Sequence, residues 1–132
     1  MTPGDPYSDL VAGHFDAPAH VGPLDGDRSN VFTGAAGRRE GSLQVRFEAR
    51  IQAGRIDDMA FQAYGCPHAI AACSLIAVRL TGRPAPELEC VDVRALMGEL
   101  DVPVEKTGRL LILQDALHDC FRAWDNRRLA GN

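Results

Sequence analysis

From Leu43 to Ile51 the chain alternates without a break. Leu43, Val45, Phe47, Ala49 and Ile51 are apolar, and Gln44, Arg46, Glu48 and Arg50 between them are polar. A period of two belongs to a strand with one face buried and the other turned to water, because successive side chains leave opposite faces of the pleat. Gln52-Ala53-Gly54-Arg55 then supplies a turn. Ile56 through Tyr64 returns as a second strand, with Met59, Phe61 and Ala63 on its inner face. A lone hairpin is only marginally stable in water, so Val31 to Thr33 is expected to add a short third strand.

The remainder reads as helix and connector. Ser8 or Asp9 is placed to cap a first short helix carrying Leu10, Val11 and Phe15, before Pro18, Gly22, Pro23 and Gly26 impose an irregular course. After Cys66, the residues Ala69, Cys73, Ile76 and Leu80 form one apolar stripe that Gly82 and Pro84 terminate. Asp92 caps a short helix holding Val93, Leu96 and Met97. A long last helix from about Gly108 aligns Leu110, Leu113, Leu117, Cys120 and Trp124. The predicted class is therefore α+β: a small antiparallel sheet packed on one face by helices, with an N-terminal helix and a long C-terminal helix. A chain of 132 residues with 45% apolar content suits a single domain over residues 1–132. Its net charge of -4 leaves no footprint for nucleic acid, and no apolar run is long enough to span a bilayer. The first residues carry no export signal, so the expected location is the cytoplasm, where thiols stay reduced.

The thiol that stands out is Cys66, in Ala63-Tyr64-Gly65-Cys66-Pro67-His68. The run reads as a strand end, a glycine turn and a helix start. Proline suits the first helical turn, whose N–H groups lack partners, and a helix N-terminus favours thiolate over thiol. His68 lies close enough in sequence to donate to the sulfur or share a metal ion. A small apolar residue filling the corner is the competing reading, since free cysteines are commonly buried and inert. Cys73 and Cys120 fall on apolar stripes and read as packing residues, while Cys90 lies in a connector that assigns it no role. No Cys-x-x-Cys pair occurs among the four cysteines, which argues against a zinc finger or a thioredoxin-like site. His118, between Asp115 and Arg122 at helical spacing, fits a solvated face, and His14 and His20 lack a ligand-spaced partner. Neither a Ser/His/Asp arrangement nor a phosphate loop is spelled.

Over nearly its whole length the chain resembles the NifU N-terminal and IscU-type iron-sulfur cluster scaffolds. The resemblance runs through Tyr7-Ser8, His14-Phe15, Pro18, Val21-Gly22 and Leu43-Gln44-Val45. It is strongest from Phe61 through Leu75, with Tyr64-Gly65-Cys66 and Ala69-Ile70-Ala71. It continues with Gly82-Arg83 and then from Lys106 through Leu111-Ile112-Leu113 to Asp115-Ala116-Leu117. Such scaffolds usually hold a nascent cluster with three cysteines, helped by an aspartate and sometimes a histidine. Cys66 matches the middle ligand. The first cysteine's position reads Gly37, within Ala36-Gly37-Arg38-Arg39, and the aspartate position reads Arg39, or Glu40 after a one-residue shift. The His-Cys pair of the third site corresponds to Gly108-Arg109. Val102-Pro103-Val104-Glu105-Lys106 partly echoes the chaperone-recognition motif.

The resemblance implies a scaffold, not an enzyme. It implies an iron or iron-sulfur cargo, and a cysteine desulfurase and other iron-sulfur assembly proteins as partners. Cys66 is the expected ligand, with His68 and Glu40 as lesser metal candidates. Arginine is a permanent cation and cannot ligate iron, so Arg38, Arg39 and Arg109 change what the site can hold. Beside cluster assembly, two further roles follow: a single-thiol persulfide acceptor at Cys66, and a binding module that keeps the fold without metal chemistry.

Overall fold

The computed structural model describes residues 21–38, 43–65, 67–103 and 110–131. The N-terminal helix predicted from Ser8, with His14 and His20, lies outside the described residues. Three strands form one antiparallel sheet in the order β1 (Val31–Arg38), β2 (Leu43–Gln52) and β3 (Arg55–Tyr64). The helices α1 (Pro67–Leu80), α2 (Val93–Glu99) and α3 (Ile112–Ala130) follow, with a 3-10 turn at Ala85–Glu89 between the first two. The α+β class read from the sequence is the class observed.

Each element forms for a local reason. In β2 the five apolar residues from Leu43 to Ile51 are all buried, as the alternation requires. The hairpin closes through Ala53 and Gly54, both with positive φ, between the paired residues Gln52 and Arg55. That is the two-residue turn whose twist matches the strands it joins. A bulge follows: Arg50 faces Asp58 while Ile51 faces Ile56, which leaves Asp57 unmatched. The extra residue resets the alternation, so Ile56 points inward together with Met59 and Phe61. Asp92 caps α2, its Oδ1 accepting from the Ala95 N–H at 3.0 Å.

Helices cover the inner face, α3 lying against β1 and β2 and α1 against β3. The approach of α3 to β1 is unusually close. A Cβ at Gly34 would stand 2.1 Å from the Ala116 carbonyl oxygen and 2.2 Å from the Cys120 nitrogen. Glycine is what lets the helix backbone rest on the strand. The edge of β1 is also engaged by α3, because the Ala35 N–H donates to Asp119 Oδ2 at 3.2 Å. At the opposite edge, Gly22 N–H donates to the Phe61 carbonyl at 2.9 Å, beside a parallel bridge from Val21 to Phe61.

The outer face of the sheet is not simply solvated. Glu48, polar and outward in the sequence pattern, is only 3% exposed. Its carboxylate accepts from the Leu24 N–H at 3.0 Å, from Arg28 at 2.8 Å and from Arg46 at 3.0 Å. Burial opposes ionisation of Glu48, but these donors outweigh it and hold the carboxyl below its ordinary value. One carboxylate thereby fastens the segment around Leu24 across the strands.

Candidate functional site

The sheet register gathers the chain ends that flank residues 39–42 and Cys66. Gly37 near the end of β1 pairs with Gln44, and Gln44 pairs with Tyr64 at the end of β3. Gly65 follows with φ of 130°, and α1 begins at Pro67. A further segment of chain arrives at the start of α3, where the Ile112 Cδ1 would lie 2.7 Å from a Cβ built at Gly37. Thus Gly37, Tyr64-Gly65, Pro67 and Ile112 share one pole of the molecule. Arg39, Glu40, Cys66, Gly108 and Arg109 lie outside the described residues, as does the Arg38 side chain.

Of the predicted site residues that are described, Gly37 is the most informative. It has φ of 86°, and a Cβ there would stand 2.3 Å from the Leu43 carbonyl oxygen. Two independent constraints therefore exclude a side chain: left-handed backbone, which L residues adopt only at a cost, and a neighbouring backbone atom in the space. A thiol-bearing residue at position 37 would require this backbone to shift. Sequence reading marked Gly37 as a substituted ligand but missed this conformation. The available signal was a glycine inside a strand, which points to a close backbone approach.

His68, in the first turn of α1, is turned inward and only 2% exposed. The first turn of that helix carries no acidic side chain of its own. Burial pushes the thiol of Cys73 far up. The thiol of Cys120 is pushed up to about 12, by burial first and then by the carboxylate of Asp119. It donates to the Phe32 carbonyl at 3.3 Å. Both are fully buried, as their stripes implied. Cys90 is exposed, its thiol 3.5 Å from the Pro86 carbonyl oxygen. Among the described residues no three His, Cys, Asp or Glu side chains are grouped to hold a metal ion. Beside the pole, on the outer face, Gln44, Arg46, Gln62 and Tyr64 line a depression of about 500 Å³.

Residues 6–130 match the family model described as the NifU-like N terminal domain. The chain belongs to that family. Among curated members of the wider group, the iron-sulfur cluster assembly scaffold protein IscU of Azotobacter vinelandii is 31% identical over 123 residues, which cover 92% of this chain and 96% of that protein. The IscU protein of Haemophilus influenzae is 32% identical over 112 residues, covering 84% and 89% respectively. In fold, this NifU-like domain is similar to a NifU-like N-terminal protein from Brucella abortus, with a TM-score of 0.68, 16% identity and coverage of 91% and 94%. It is also similar to a putative iron-sulfur cluster assembly scaffold protein for the SUF system from Fervidobacterium islandicum, with a TM-score of 0.53, 16% identity and coverage of 93% and 94%. The shared fold is the sheet and helices whose ends meet at the Gly37 pole. No helix among the described residues of this NifU-like chain is long and apolar enough to cross a membrane.

Proposed function

We propose that this protein works in iron-sulfur cluster assembly and that Cys66 acts there as a single thiol, not as one of three cluster ligands. The observation that supports this is the backbone at Gly37, which has no room for a side chain where the family resemblance places a first cysteine. Arg109 at the position of the third cysteine, and Arg39 at that of the aspartate, offer cations where iron requires anionic donors. Cationic neighbours and a helix start favour the thiolate of a nearby cysteine, which is the form that attacks sulfur.

In this reading the Cys66 thiolate attacks the terminal sulfur of a persulfide carried by a cysteine desulfurase. The donor's sulfur–sulfur bond breaks, the donor cysteine leaves as a thiolate that takes up a proton, and Cys66 becomes the persulfide. The exchange is redox-neutral and uses one protein thiol. Iron and cluster are then cargo completed by ligands from a partner, and Glu40 and His68 are dispensable for the first step.

The experiment is incubation of the full chain with a cysteine desulfurase and cysteine, followed by intact mass and peptide mapping. The expected product is a sulfur adduct on Cys66 that is absent from Cys66→Ser and reversed by reductant. In parallel, anaerobic addition of iron and sulfide to the protein alone should leave it without a stable visible chromophore. A Cys66-dependent cluster formed by the chain alone, with no adduct in the first assay, would overturn the proposal in favour of autonomous scaffolding.

A further inference from the structure

At the pole opposite Gly37, the last turns of α3 and the β2–β3 hairpin enclose a groove of about 610 Å³. Its volume lies in the range of small-molecule sites. Phe32, Ile51, Phe121 and Trp124 supply apolar surface, and Arg127 and Arg128 supply the only charged side chains among its described lining residues. The chain as a whole is acidic, with 18 Asp and Glu against 14 Lys and Arg, so two cations and no carboxylate among the described lining residues depart from the average surface, although Asp125 pairs with Arg128 from outside the lining.

Both guanidinium groups sit over aromatic rings. The Arg127 guanidinium carbon stands 5.1 Å from the centre of the Phe32 ring, and that of Arg128 stands 5.1 Å from the centre of the Trp124 ring. Arg127 donates to the Ser29 carbonyl and to Asn30 Oδ1, and Arg128 donates to Asp125. A guanidinium has five N–H donors, so these contacts orient each group and leave donors unused. No carboxylate among the described residues pairs with Arg127. The combination is a preoriented fork for an anion beside an aromatic wall.

We propose that this groove binds a small organic anion whose apolar, aromatic-sized body lies against Phe121 and Trp124 while its carboxylate or phosphate meets Arg127 and Arg128. Trp124 in the groove stands 12 residues along α3 from Ile112 at the Gly37 pole, roughly 18 Å at about 1.5 Å per residue. A ligand there leaves the candidate thiol site open, so the two sites can be occupied together. Nothing in this argument depends on the role of Cys66.

The chain has one tryptophan, so the indole Nε1–H of Trp124 gives a single cross-peak in a proton–nitrogen correlation spectrum. The test titrates the labelled full chain with 2-naphthoate and, separately, with the uncharged 2-naphthamide. Saturable movement of the Trp124 peak is expected with naphthoate, with about tenfold weaker binding of naphthamide. The Arg127→Gln, Arg128→Gln double variant should lose naphthoate affinity by about tenfold at unchanged far-ultraviolet dichroism, since both side chains are exposed. Equal binding of the two probes, an unmoved Trp124 peak, or full affinity in the double variant would each overturn the proposal. The comparison of the two probes uses the unaltered protein and stands even if the variant folds poorly.

Discussion

Three glycine-to-alanine substitutions separate the two constraints that act at Gly37. Gly54 has φ of 73° but nothing within 4 Å of an added Cβ, so Gly54→Ala registers only the left-handed backbone, at about 1–2 kcal/mol. Gly34 lacks the positive φ, yet its Cβ would meet α3 backbone atoms at 2.1 and 2.2 Å. Gly34→Ala therefore registers overpacking against a rigid neighbour, at about 1–3 kcal/mol or somewhat more. Gly37 carries both, with φ of 86° and a Cβ 2.3 Å from the Leu43 oxygen, inside the 3.0 Å that real Cβ atoms keep. Gly37→Ala should thus cost roughly 2–5 kcal/mol, the two costs adding. Urea unfolding followed by circular dichroism measures all three, with the order Gly54→Ala least destabilised and Gly37→Ala most. Gly37→Cys should behave like Gly37→Ala and should not restore a cluster ligand. A Gly37→Ala protein within about 0.5 kcal/mol of the parent would refute the reasoning, because it would mean that position 37 accepts a side chain freely.

Glu48→Gln should lower stability at neutral pH by about 1–2 kcal/mol, less than for a fully buried pair because Arg28 and Arg46 are half exposed. Since the folded carboxyl titrates below its ordinary value, its stabilisation is complete above the unfolded value and is lost as pH falls through the folded one. The gap between parent and variant should therefore narrow as pH falls below about 4, and a gap constant across urea titrations from neutral to acid would count against the Glu48 network. Ala53→Asn should stabilise the hairpin by about 0.5–1 kcal/mol, because asparagine tolerates the positive φ that Ala53 adopts; an unchanged or lower melting temperature would contradict the turn assignment. In the native protein Cys90 should react with a thiol reagent promptly, while Cys73 and Cys120 react only after unfolding; labelling of either in the folded chain would mean that the core opens around it.

The sequence disclosed most where one residue type per position answers to one physical demand. The buried face of β2 follows from strict alternation, and the α2 start follows from the capping carboxylate of Asp92. Strand β1 extends from Val31 through Arg38, well past the expected Val31 to Thr33, because Gly34, Ala35, Ala36 and Gly37 carry no strand signal of their own. They are strand because α3 and β2 press on them from either side, which only the tertiary structure supplies. The inward turn of Ile56 was hidden for a related reason: a bulge shifts phase without altering composition. Helix α3 runs from Ile112, with Leu111 offering no side-chain cap, and the expected start near Gly108 lies outside the described residues. In the sequence the candidate site is a set of residue identities at Cys66, Gly37 and Arg109, of which only Gly37 lies among the described residues. Its steric character was not legible, because Gly37 in the sequence looks like a lost cysteine and in the fold is a backbone with no space for one. His68 similarly reads as a residue able to donate to the Cys66 sulfur or share a metal ion, whereas in the first turn of α1 its side chain is buried.

The engagement of Ala35 by Asp119 bears on how this protein meets others. A three-stranded sheet offers two open borders, and either could template the backbone of another chain. Here the border of β1 is occupied at Ala35 by a helix carboxylate, and that of β3 at Phe61 by Gly22 and at Arg55 by its bridge to Pro84. Strand exchange and ribbon growth are obstructed at these points. At those points recognition falls to side chains and loop tips, whose residues can change while the barricaded sheet beneath them stays the same.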